Sequence, residues 1–82
     1  MPHIYIENLP QDATPKTIEA IFGNYVGDAK RDVTLLFEDN KPYFAIVQFP
    51  DLSHLALQQI ERKFHRRYFD GKILRVHAPI FD

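Results

Sequence analysis

Apolar and polar residues alternate along "HIYIENL", residues 3–9. Ile4 and Ile6 fall on one side of a strand, and Tyr5 and Glu7 on the other. Pro10 ends the run. A helical period follows. Ile18, Ile21, Phe22 and Tyr25 recur at i, i+3, i+4 and i+7, one apolar stripe. Thr14 suits the N-cap, Pro15 the first helical position, and Gly27 a C-terminal stop. Residues 30–38, "KRDVTLLFE", read as a second strand. After the tight turn "DNKP", "YFAIVQF" reads as a third, close enough to pair as a hairpin. In it Ala45, Val47 and Phe49 share one face, and Phe44, Ile46 and Gln48 the other. A second helix is predicted over residues 51–67, capped by Asp51 or Ser53, with Leu52, Ala56, Ile60 and Phe64 on its buried side. Asp70-Gly71 forms a turn, and "KILRVHA" a last strand ended by Pro79. There Leu74 and Val76 point inward, and Arg75 and His77 outward.

The order is strand, helix, strand, strand, helix, strand. Short connections and right-handed crossovers turn this into an α+β, ferredoxin-like βαββαβ sandwich. Its four-stranded antiparallel sheet carries both helices on one face. The other face is open and gathers Tyr5, Phe44, Ile46, Arg75 and His77.

Eighty-two residues make one domain, with its core at about residues 3–79; such a unit is expected to be part of a longer protein. No internal repeat or low-complexity tract divides it. There is no cysteine, hence no disulfide and no thiolate metal site, which is compatible with an intracellular setting. No apolar run approaches the roughly 20 residues of a membrane helix.

The formal net charge of −1 hides a split. Residues 1–61 hold four basic side chains against nine acidic ones, whereas residues 62–77 hold six basic against one, Asp70. The near-neutral total argues against a general polyanion binder, but one end carries a local positive field. The run Arg62-Lys63-His65-Arg66-Arg67 also suits the solvated C-terminal end of a helix dipole.

Catalytic chemistry finds little support. His3, His54, His65 and His77 lack metal-ligand spacing, so no metal or other cofactor is expected. Ser53 is the only serine and sits at a helix start, where capping explains it. Glu38-Asp39, at a turn tip, is solvated rather than an acid/base pair.

The residues resemble the RNA recognition motif (RRM) family. Its six-residue motif on the first strand runs aliphatic, aromatic, aliphatic, any, Asn, Leu, and "IYIENL" matches at every position. Its eight-residue motif on the third strand begins with a basic residue and glycine and ends Phe/Tyr-Gly/Ala-Phe-Val-x-Phe/Tyr. Here it reads Pro42-Tyr43-Phe44-Ala45-Ile46-Val47-Gln48-Phe49. Phe44, Ala45, Val47 and Phe49 match. Pro42, Tyr43 and Ile46 depart, the last removing an outward aromatic. "YFDGKILRVHAP" resembles the family's last strand.

The resemblance implies a single-stranded RNA partner and no enzymatic activity. Tyr5 and Phe44 would stack on bases, Ile46 would pack on a base or sugar, and Arg75 and His77 would bond to base edges or phosphate. The missing ring at position 46 and the short acidic hairpin "EDNKP" imply modest affinity. The family context implies an isolated domain that is monomeric and works in RNA processing, in the nucleus before the cytoplasm.

Other occupants of the open face remain. The tail "APIFD" could fold back and lay Phe81 over Tyr5 and Phe44, or a protein could cover them. The UHM class of splicing-factor RRMs holds a tryptophan-bearing peptide through an Arg-x-Phe after the second helix. Arg67-Tyr68-Phe69 resembles it, with Arg67 as clamp and Phe69 as stacking ring. Tyr5 and the non-acidic first helix depart from that class, and an aromatic at position 69 packs in the core of ordinary RRMs. Acylphosphatases share the architecture, but "NLPQDATP" has neither the glycine nor the cation of a phosphate cradle.

Overall fold

The computed structural model describes residues 2–79. The elements run β1 (His3–Glu7), α1 (Pro15–Phe22), β2 (Asp32–Glu38), β3 (Lys41–Gln48), α2 (His54–Phe64), β4 (Tyr68–Phe69), β5 (Lys72–Ile73) and β6 (Arg75–His77). β2, β3, β1 and β6 form one antiparallel sheet in that order, and β4 and β5 a separate two-stranded ribbon. The α+β arrangement read from the sequence is thus the observed one.

Alternation builds one face of the sheet. Ile4, Ile6, Ala45, Val47, Leu74 and Val76 are fully buried, under Ile18, Ile21 and Phe22 of α1 and Leu57, Ile60 and Phe64 of α2. Burying each large side chain contributes about 1.5–3 kcal/mol before entropy is counted. Edge-on contacts of Phe22 with Phe49 and Phe64, at 6.0 and 5.4 Å between ring centroids, lock the two helices over the sheet.

Local chemistry sets the helix ends. Thr14 and Thr17 form a capping box: the Thr14 N–H donates to Thr17 Oγ1 at 3.0 Å, and the Thr17 N–H to Thr14 Oγ1 at 3.4 Å. α1 stops at Phe22 rather than near Gly27, because Gly23 adopts φ 57° and its N–H closes on the Glu19 carbonyl. Tyr25 therefore lies beyond the helix, 47% exposed, with its ring edge against Phe64. In α2 the cap is Ser53, whose Oγ accepts from the Ala56 N–H at 3.2 Å. Leu57 takes the buried position expected of Ala56, which is half-buried, as is Leu52 before the helix.

Arg31 fastens the connection from α1 to β2. Its guanidinium meets Glu19 through contacts of 2.8–3.0 Å and donates to the Gly27 and Ala29 carbonyls. The hydrogen bond from Arg31 holds the Glu19 carboxyl below the usual carboxylate range, against the opposing effect of burial. The same hydrogen bond raises Arg31 further above its already high value.

Candidate nucleic-acid interface

Pairing across the sheet fixes which side chains share the open face. Tyr5 is opposite Ile46 in β3 and His77 in β6, and Ile46 is opposite Thr34 in β2. One row therefore runs His77, Tyr5, Ile46, Thr34. Glu7 is opposite Phe44 and Arg75, and Phe44 is opposite Leu36. The second row runs Arg75, Glu7, Phe44, Leu36. All five residues expected on this face are brought together there.

Tyr5 and Phe44 are diagonal neighbours across β1 and β3. Their ring centroids lie 5.2 Å apart with planes tilted by 33°. Both are half-buried. His3 extends the aromatic patch, its ring centroid 4.8 Å from that of Tyr5 and its Nε2 2.8 Å from the Tyr5 hydroxyl. That contact fixes the orientation of the phenol. Ile46 fills the next position of the Tyr5 row with aliphatic surface and no π face.

Glu7 is the member that sequence reading left out. Its carboxylate lies 3.1 Å from His77 Nε2 and 4.0 Å from Arg75 Nη2. The two outward bases of the last strand thus share one acid in the middle of the face. The signal was present: Glu7 alternates with Ile6 just as Tyr5 does. His77 is also 5.4 Å, ring to ring, from His65, whose Nδ1 accepts the Val76 N–H at 3.0 Å.

Asn8, an unexplained part of the hexamer, also receives a role. Its φ is 64°, a left-handed conformation that Asn tolerates better than most residues. Its Nδ2 donates to the Ile73 carbonyl at 2.8 Å, tying the end of β1 to β5. Across the sheet, the β2–β3 turn consists of Asp39 and Asn40 alone, both at positive φ, between the paired residues Glu38 and Lys41. Pro42 belongs to β3. The register shifts between Leu36 and Phe37, so that Tyr43 is the extra residue of a bulge and stands 48% exposed with its ring 6.1 Å from that of Phe44.

Arg67 and Phe69 lie elsewhere, in the segment after α2. Arg67 places its guanidinium carbon 5.7 Å from the Phe64 ring centroid, and Phe69 packs against the core. Phe81 and the rest of the tail beyond Pro79 lie outside the described residues. Among the described residues no group of side chains is arranged to hold a metal ion, and no helix is long and apolar enough to cross a membrane.

Comparison with known proteins agrees with this geometry. The family model described as RNA recognition motif matches residues 4–75. No curated protein matches by sequence. Among solved structures, Pes4 RRM3 superposes with a TM-score of 0.77 at 27% identity, over 100% of this chain and 95% of the other. The RRM domain of S. pombe Puf1 gives 0.69 at 25%, over 94% and 95%. The Rna15 RRM with bound RNA (GU) gives 0.72 at 18%, over 95% and 82%, a likeness of fold.

Proposed function

The chain belongs to the RNA recognition motif family, and from that premise we propose that it takes a short single-stranded RNA on the open face of its sheet. The family's domains are RNA-binding modules, not enzymes. In this reading Tyr5 and Phe44 stack on bases, Ile46 packs on a base or sugar, and Arg75 and His77 bond to phosphate or base edges.

The observation that supports the reading is the Tyr5–Phe44 ring pair, 5.2 Å apart on the sheet face opposite the two helices. Any base offers a π face, and stacking on an aromatic ring is worth about 1–3 kcal/mol per base. The joined pair of rings offers apolar area with little conformational entropy left to lose on binding. The affinity is modest. Ile46 contributes no stacking, and Glu7 places a negative charge 3.1 Å from His77 and 4.0 Å from Arg75.

An NMR titration of the labelled domain with a pool of short single-stranded RNAs tests this. Shifts centred on Tyr5, Phe44, Ile46, Arg75 and His77 that persist at physiological salt are expected. Shifts confined to residues 62–67 that vanish as salt rises would mean counterion-type contact alone and would overturn it.

A further inference from the structure

A concavity of about 450 Å³ opens at one corner of the sheet, lined by Asn8, Arg66, Ile73 and Arg75. One side-chain bond, from Asn8 Nδ2, and two backbone bonds fix its walls. The Asn8 amide donates to the Ile73 carbonyl at 2.8 Å, the Arg66 N–H to the Leu74 carbonyl at 2.8 Å, and the Leu74 N–H to the Arg67 carbonyl at 2.9 Å. Arg66 is not on α2. It follows the cap residue His65, and its φ of 64° turns the chain back toward β5. A residue that sequence reading assigns to a solvated helix end therefore shares a concavity with Arg75 of the open face.

Charge identifies the ligand. Two arginines border one concavity whose other polar side chain is that of Asn8. Arg66 has no ion-pair partner among the described residues. Arg75 meets only the Glu7 carboxylate there, at 4.0 Å, and its side chain is 60% exposed. The other nearby acid, Asp70, sits at the tip of the β4–β5 turn. Guanidinium groups present planar, paired donors that match phosphate oxygens, and Ile73, 54% exposed, offers an aliphatic wall such as a ribose covers. The concavity is continuous with the open face, since Ile73 and Arg75 alternate with the buried Leu74 and Val76.

We propose that this corner is a backbone-phosphate site, in which Arg66 and Arg75 clamp the phosphodiester of an RNA strand where it leaves the sheet past the end of β1. The inference rests on the RNA reading of the sheet face. It adds a contact outside the two family motifs and a minimum strand length for full affinity.

The test compares a trinucleotide that covers only the sheet with the same RNA lengthened by two nucleotides at each end, over a range of salt. Arg66→Asn removes the charge and retains a residue suited to positive φ. The lengthened RNA should bind it about fivefold more weakly than wild type, with the slope of log affinity against log salt shallower by about 0.7, one phosphate of a single strand. The trinucleotide should bind both proteins equally. Arg66→Lys should restore the slope but only part of the affinity. Tyr5→Ala separates the two claims. If Tyr5→Ala weakens both RNAs and Arg66→Asn leaves the longer one unchanged in affinity and slope, the phosphate site is wrong and the sheet reading stands. If Arg66→Asn weakens the longer RNA and Tyr5→Ala does nothing, the corner holds phosphate and the sheet reading fails. If wild type binds neither RNA, both fail.

Discussion

Glu7 Oε1 lies 3.1 Å from His77 Nε2, in the centre of the face that also carries the Tyr5 and Phe44 rings. An acid at that point opposes a polyanion twice. It repels phosphate directly, and it competes for the two outward basic groups of the last strand, His77 at 3.1 Å and Arg75 at 4.0 Å.

Glu7→Gln should therefore strengthen RNA binding, by about two- to fivefold at low salt, the scale of an exposed charge pair. The gain should shrink as salt rises, because the contact is solvent-exposed. Fluorescence anisotropy against a short single-stranded RNA at two salt concentrations measures it. A loss of affinity instead would mean that the carboxylate accepts a hydrogen bond from a base.

Asn8 combines a left-handed backbone with a long-range tie to Ile73. Asn8→Gly keeps the backbone freedom and loses the tie, and should cost about 1 kcal/mol. Asn8→Ala loses both and should cost about 2 kcal/mol. Urea unfolding of the two variants checks the order. Equal losses would leave the positive φ without energetic weight.

Glu19 is held ionised by Arg31, so its carboxyl titrates lower in the folded than in the unfolded chain. Its contribution is complete above the unfolded carboxylate range, near pH 4–5, and is lost as pH falls through the folded value. Glu19→Gln should cost up to about 1 kcal/mol at pH 7, since the carboxylate is substantially exposed. It should cost progressively less below pH 4. Thermal melts from pH 7 to pH 3 should show the two proteins converging. A difference independent of pH would assign the effect to packing.

The sheet and its faces were legible because strand period survives without knowledge of partners. Ile4 and Ile6, or Ala45 and Val47, declare their side by alternation alone. Helix ends were less so. Two glycines stand after the α1 stripe, and only the backbone shows that Gly23 rather than Gly27 takes the capping conformation. On α2 the spacing by four from Leu52 drifts around the helix, and Leu57 lies closer to the Ile60–Phe64 line than Ala56 does. Of the site, the outward aromatics were readable one strand at a time. The corner concavity was not, because it joins Asn8 to Ile73, 65 residues apart, through one side-chain hydrogen bond. Arg66 was hidden by an apparently continuous basic helix, which in fact ends at Phe64.

The central claim is that the Tyr5–Phe44 pair is a stacking surface for bases. Its most direct test is the RNA dissociation constant of Tyr5→Ala and of Phe44→Ala, each beside its thermal melt. Each substitution should weaken binding by about 1–3 kcal/mol, roughly 5- to 150-fold, while the melt moves little, because both rings lie on the open face outside the buried core. Unchanged affinity in both variants, with the fold intact, would contradict the account.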